Sequence, residues 1–258
     1  MDESDNLTRF SLRYGQNTFS GSSDEKHPTI QVIQSLLNAG ANINQMDIFG
    51  LTPLHHAAMR GNVKVAQFLI EQRSIDLEAQ DKQKSTPLHI ATIYGHSDIA
   101  CKLIEMRVKT SWLDKKRQNV LHKATALGHH NIVKMVLENA SEDEKEELIQ
   151  QADHDGFTPF LMAVAAGQTK ILEIFMECEF EFDGAKKYVN MENTEYECSL
   201  HFAVRSGNLE TVQILIKNGA NVNKPNKENK TPIFLAAENV ICEEGSDNIE
   251  VIKCLVEK

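Results

Sequence analysis

The chain has 258 residues, with 37 acidic against 27 basic side chains, a formal net charge of −10 and 41% hydrophobic residues. That apolar content suffices for a continuous thin core, while the acidic balance sets nucleic acid aside as a partner, since phosphate binding needs a basic face. Five cysteines, Cys101, Cys178, Cys198, Cys242 and Cys254, are odd in number and lack CxxC spacing. They point to a reducing compartment and a cytoplasmic setting, and away from a disulfide framework.

Residues 1–27 read as an irregular segment. Leu7 to Leu12 suit a degenerate first helix, and 15–26 is polar loop. The start, Met1-Asp2-Glu3-Ser4-Asp5, carries no apolar run of the kind that marks a signal peptide. Pro28 to Asn38 then predicts a helix. At 52–57 stands TPLHHA, followed at 86–91 by TPLHIA. Degenerate copies follow as NVLHKA at 119, TPFLMA at 158, CSLHFA at 198 and TPIFLA at 231. The steps between copies are 34, 33, 39, 40 and 33 residues. A period near 33 carrying this motif marks a stack of turn-plus-helix-pair units.

Within each copy the local physics repeats. Thr52 and Thr86 cap a helix through the hydroxyl, and Pro53 and Pro87 suit its first turn. Glycine recurs nine residues after the motif start, at Gly61, Gly95, Gly128, Gly167 and Gly207, where a left-handed residue ends the helix. A second helix follows with a buried stripe, as in Val65, Phe68, Leu69 and Ile70 or in Ile99, Leu103 and Ile104. Between pairs come Asp/Asn and Gly turns, such as Asp47-Ile48-Phe49-Gly50 and Asp153-His154-Asp155-Gly156. Asn119-Val120 and Cys198-Ser199 lack Thr-Pro and predict weaker caps. Val240 replaces the glycine of the last copy, so Cys242 to Asp247 is expected to form a long, mobile loop. Ser141 and Glu144 predict a capping box and an extra helical turn within the insertion at 138–150, which reads as a solvated acidic knob. The second insertion, Glu179 to Tyr188, holds Phe180, Phe182 and Tyr188, which are expected to pack back on the stack.

These motifs resemble the ankyrin-repeat family over roughly residues 28–258. The resemblance implies an all-α, ankyrin-repeat solenoid of stacked helix-turn-helix units with short hairpin fingers. The expected units are a partial one near 28–46, then 47–80, 81–113, 114–152, 153–192, 193–225 and 226–258. It also implies that His55, His89, His122 and His201 bridge neighbouring units through their rings. Leu161 and Phe234 replace that histidine in two copies. The chain stops just after a second helix, with Leu255 and Val256 uncovered, which is the pattern of a fragment of a longer array.

No catalytic motif is present: neither G-x-x-x-x-G-K-[ST], nor G-x-S-x-G, nor H-E-x-x-H. Neither catalysis, nor a cofactor, nor a metal is expected. Nothing approaches 18 consecutive apolar residues, so no membrane span is expected within this chain. Function then rests on surface side chains. The resemblance implies protein binding on the concave side, through fingers and first helices. The candidates are Phe49, Lys116, Phe157 and Tyr196 on fingers and Met59, Arg60, Ile93, Tyr94, Leu127 and Arg205 on first helices. Lys84, Arg117 and Lys230 are further finger positions. The leading reading is a non-catalytic interaction scaffold. The alternatives are the cytosolic ankyrin portion of a membrane channel of the transient-receptor-potential type, and the regulatory array of an enzyme whose catalytic part lies outside this chain.

Overall fold

Thr52 sets the pattern that the rest of the chain repeats. Its backbone is extended, its hydroxyl accepts the N–H of His55, and Pro53 opens the helix. Gly61 closes that helix at φ +64°, and Asn62 caps the next by accepting the N–H of Val65. The structure is a computed structural model that describes residues 28–177, 188–242 and 246–256, with the side chains of 239–242 and 246–248 outside that description. The expectations for 1–27, for Phe180 and Phe182, and for the side chain of Val240 lie outside the described residues.

The chain divides into two compact units, 1–39 and 40–258. In the first, α1 (Pro28–Asn38) is an 11-residue helix. The second unit is a row of helix pairs. Its first helices are α2 (Pro53–Arg60), α4 (Pro87–Ile93), α6 (Val120–Ala126), α9 (Pro159–Ala165), α11 (Ser199–Arg205) and α13 (Pro232–Cys242). Their second helices are α3 (Val63–Ile70), α5 (Ser97–Glu105), α7 (His130–Asn139), α10 (Thr169–Glu177), α12 (Leu209–Lys217) and α14 (Ser246–Val256). One further helix, α8 (Glu142–Gln150), fills the insertion. Each first helix packs on the next, and each on its own second helix, the nearest-neighbour pattern of a repeat array.

The core is the stripe read from the sequence. Leu54, Leu88, Leu121, Phe160 and Leu200 are buried on the first helices. Leu69, Leu103, Val136, Leu172 and Leu215 are buried on the second helices. Phe68 is only half-buried. Tyr188 is buried, with its ring 6.4 Å from that of Phe160, so this aromatic does pack back on the stack.

Three expectations are corrected. The insertion is a nine-residue helix and not a single turn. Its Ser141–Glu144 box forms, with the Ser141 N–H donating to Glu144 Oε2 at 2.9 Å. The acids Glu142, Asp143 and Glu144 stay exposed, but Leu148 and Ile149 are buried, and the helix packs on α9. Where a loop was expected from Cys242 to Asp247, both described ends are helical: α13 runs through Cys242 and α14 starts at Ser246, while 243–245 lie outside the described residues. Without a left-handed glycine to stop it, α13 extends to 11 residues, against 7 for α9.

The third correction is Asn119, which caps as well as threonine does. Its Oδ1 accepts the N–H of His122 at 3.1 Å, as expected of a residue among the best N-caps. Its Nδ2 then donates to the carbonyl of Leu148 at 2.9 Å in a buried setting. One side chain thus starts α6 and ties down the inserted helix. Asn119→Ala removes both bonds and is expected to cost about 2–3 kcal/mol, the sum of a lost cap and an unpaired buried carbonyl. Asn119→Thr keeps the cap alone and should recover about half of that in urea melts. Equal stability of the alanine and asparagine proteins would refute the double role.

Candidate binding surface

Six fingers share one construction. Asp47, Asp81, Asp114, Asp153, Asn193 and Asn226 each accept, through Oδ1, the N–H groups two and four residues on. An Asx side chain that mimics a backbone turn in this way fixes the loop locally. The residue three places after each Asx is left-handed. It is glycine at Gly50 and Gly156, but Lys84 (φ 60°), Arg117 (φ 61°), Tyr196 (φ 58°) and Asn229 (φ 59°) in the other fingers. Adjacent fingers are joined through backbone bonds. The N–H groups of Lys82, Lys115, His154, Thr194 and Lys227 donate to the carbonyls of Phe49, Gln83, Lys116, Asp155 and Glu195, at 2.9–3.3 Å.

Burial acts on Asp114 to raise its pKa. The Lys123 ammonium at 2.6 Å and the N–H groups of Gln118 and Lys116 outweigh it and hold the carboxyl below its ordinary value. Asp47 is lowered in the same way, with burial opposed by the N–H of Leu51, the His56 ring and the N–H of Phe49. Both turns therefore stay charged and formed at neutral pH.

The motif histidines hold the fingers to the helices. Nδ1 of His55, His89, His122 and His201 accepts the N–H of its own N-cap residue at 3.1–3.3 Å. Where Nε2 lies on a carbonyl oxygen, which can only accept, Nε2 carries a proton. It donates to the carbonyl of Ser85 from His55, of Phe157 from His122 and of Lys230 from His201, at 3.1–3.2 Å. Three of the four histidines thus bridge units as the resemblance implies. His89 departs from it: its Nε2 faces the carbonyls of Gln118 and Trp112 but is buried without a hydrogen-bond partner among the described residues. Burial lowers the pKa of all four, to about 4 for His89 and His122. His129 has a structural place as well. Its ring lies against the spot where a Cβ on Gly95 would sit, as that of His96 does for Gly61.

With this turn repeated in six fingers over a row of stacked helix pairs, the family comparison is decisive. A profile described as "Ankyrin repeats (3 copies)" matches residues 24–111, 103–185 and 182–258. The chain belongs to the ankyrin-repeat family. The mouse NF-kappa-B inhibitor zeta is 26% identical over 220 residues, covering 83% of this chain and 28% of that protein. Human neurogenic locus notch homolog protein 1 is 27% identical over 218 residues, covering 84% of this chain and 7% of that protein. The chain thus spans less than a third of these relatives. Among solved structures, the ankyrin repeat domain of Bcl-3 aligns with a TM-score of 0.68 at 20% identity, over 88% of this chain and 91% of that one. A chain in the complex of a predatory endopeptidase from Bdellovibrio bacteriovorus with its immunity protein aligns with a TM-score of 0.65 at 25% identity, over 83% and 100%.

The ankyrin array brings some of the sequence candidates into one row and separates others. Arg60, Tyr94 and Leu127 occupy the same position, just before the capping glycine, at the C-terminal ends of α2, α4 and α6. Arg60 and Leu127 are exposed, and Tyr94 is half-buried with its ring stacked on His96. The next two helices place Ala166 and Ser206 there, so the row steps down from large to small. Met59 and Ile93, one residue earlier, are half-buried. Among finger candidates, Phe49 is 61% exposed and Tyr196 58%, and Lys116 is also free to solvent. Phe157 instead packs on Phe202, ring centroids 5.2 Å apart, while its carbonyl receives His122. Arg205 pairs with Glu197 and lies over the Phe202 ring. The sequence reading missed Ile48, Lys82 and Lys115, all exposed at fingertips. Their signal was available: each directly follows the turn-forming aspartate.

Among the described residues, no cluster of three or more His, Cys, Asp or Glu is placed to hold a metal ion. No helix among them is long and apolar enough to cross a membrane. Cys101 and Cys198 are free thiols whose pKa burial raises, which favours the protonated thiol.

Proposed function

We propose that the array is a non-catalytic binding module that takes a protein segment across several consecutive units, on the side shared by the first helices and the fingers. The carrying observation is the row Arg60, Tyr94 and Leu127, three large side chains at one repeat position on neighbouring helices. Aromatic, arginine and apolar anchors of this kind dominate interface energetics, and a rigid frame lowers the ordering cost of binding. Phe49, Met59, Ile93, Lys116, Phe157, Tyr196 and Arg205 flank the row. The partner is a protein and not nucleic acid, consistent with the net charge of −10. The relatives carry this module inside much longer chains, so the larger assembly around it is a separate question.

The test is a peptide selected from a random display library on the immobilised array, with its affinity then measured by calorimetry. Tyr94→Ala with Leu127→Ala should weaken it at least about 30-fold, the equivalent of about 2 kcal/mol. Both sites lie at helix ends, so the thermal midpoint should move by only about 2–4 °C. Undiminished binding to that double variant, together with loss on neutralising Glu142 to Glu147, would move the working surface to the inserted helix.

A further inference from the structure

The overall charge of the chain is acidic, yet two adjacent fingers are basic. The second carries Lys82 and Lys84, and the third Lys115, Lys116 and Arg117, all five exposed. The aspartates of these fingers do not neutralise them. Asp81 Oδ1 is taken by the N–H groups of Gln83 and Ser85. Asp114 is taken by the N–H groups of Lys116 and Gln118 and by the Lys123 ammonium. None of the five cations forms an ion pair with a described residue, whereas cations further along the row do. Lys224 pairs with Glu192, Lys227 with Glu195, and Lys230 with Glu228 and Glu238.

Two features fix how this cluster is presented. Lys84 and Arg117 hold the left-handed position that glycine occupies in the fingers on either side, at Gly50 and Gly156. A side chain there costs about 1 kcal/mol that glycine would not, a cost that Tyr196 and Asn229 also carry in the later fingers. The backbone beneath them is also locked: Lys82 N–H to Phe49 O at 3.0 Å, Lys115 N–H to Gln83 O at 2.9 Å and His154 N–H to Lys116 O at 3.2 Å. The cations therefore stand at fixed intervals.

We propose that the first three fingers form a docking ridge for an extended acidic protein segment. Its carboxylates sit on Lys82, Lys84, Lys115, Lys116 and Arg117, and an apolar residue sits on Ile48 and Phe49. Each finger is a hairpin-like turn closed by the N–H of its aspartate on the carbonyl four residues on, so the fingers repeat at about two strand spacings, roughly 10 Å, which is about three residues of an extended chain. The fitting pattern is an acidic residue at every third position, followed by an apolar one at the first-finger end. The flanks select a peptide over a nucleic acid. The basic stretch spans only two fingers, with exposed apolar side chains on one side and the exposed carboxylate of Asp155 on the other. A polynucleotide would need the basic groove and stacking platforms to continue. The proposal rests on the array being a protein-binding module but not on the first-helix row.

The experiment uses the full chain and a fluorescein-labelled peptide of about 15 residues, with Glu at every third position, Ser and Thr between, and a Phe at one end. Anisotropy is read at about 20 mM salt, where screening is weak. The acidic peptide should bind and its Lys-for-Glu counterpart should not. Lys84→Gly with Arg117→Gly should weaken binding at least about tenfold, with the urea midpoint unchanged or raised because the strain is relieved. Equal binding by that variant, or no binding by the wild-type chain, overturns the ridge, whatever the row at Tyr94 and Leu127 does with its own selected peptide. Loss of the acidic peptide only in the Tyr94→Ala, Leu127→Ala chain also overturns it, and moves the segment onto the first helices. A labelled oligothymidylate of equal length that binds more tightly than the peptide, with the same finger dependence, reassigns the ridge to nucleic acid.

Discussion

Acidification from pH 7 to pH 5 should destabilise the array steeply while most of its carboxylates are still charged. Four motif histidines are buried, and burial disfavours their charged form. A second proton would place a charge in the core, and on Nδ1 of His55, His89 and His201 it would face the N–H of the N-cap residue. Burial therefore holds His89 and His122 at about 4, below the ordinary 6.5. The folded state binds fewer protons than the unfolded chain between these values, so stability is full above about pH 6.5 and falls as pH drops toward 4. Each of the two histidines contributes a loss of about 3 kcal/mol by pH 4. Together these approach the whole stability of an ordinary domain, about 5–15 kcal/mol. The depressed Asp47 and Asp114 add their own loss only at lower pH. Urea midpoints at pH 7.5, 6 and 5 should fall steeply over the lower interval, and His122→Gln should flatten that slope. A midpoint constant from pH 7.5 to 5 would show that the histidines titrate freely.

Phe160→Ala should cost about 3–5 kcal/mol, the range for emptying a fully buried aromatic site. Phe160 is 1% exposed and sits on α9, its ring 6.3 Å from Phe175 and 6.4 Å from Tyr188. It joins the fourth unit to the segment that follows the second insertion. Because units of an array support only their neighbours, the damage should stay local. Amide exchange should quicken in α9, α10 and residues 188–189, while α2 to α5 keep their protection. A loss below 1 kcal/mol, or uniform loss of protection along the chain, would show that the join lies elsewhere.

What was legible in the sequence is what is local. A threonine cap, a proline in the first turn and a left-handed glycine nine residues on each act within one helix, so α2, α4 and their successors could be placed from residue types alone. The Asx turns were legible at Asp47 and Asp153, where a glycine follows, but not in the left-handed conformation of Lys84 or Arg117. Nothing in those side chains announces it; the hydrogen bonds of Asp81 and Asp114 impose it. The remaining surprises are contacts between elements. Within a unit, Asn119 reaches Leu148 and Arg205 turns to Glu197, and across units Phe157 leaves the surface for Phe202. The unpaired Nε2 of His89 depends on angles to carbonyls more than twenty residues away, which the motif cannot report. Of the binding surface, the repeat positions were readable, but which side chains stand free was decided by packing.

The insertions carry a consequence for how this protein can change length. Motif steps range from 33 to 40 residues, yet α9 and α11, which follow the longer steps, still stack on the helix before them. For the first insertion the surplus lies in the seam between a second helix and the next finger, where α8 is anchored by Asn119 and by its own buried Leu148 and Ile149. That seam works as a splice port. Residues added or removed there alter the outline of one unit and leave the phase of every other unit intact. The array can therefore gain new surface one segment at a time without re-solving its fold.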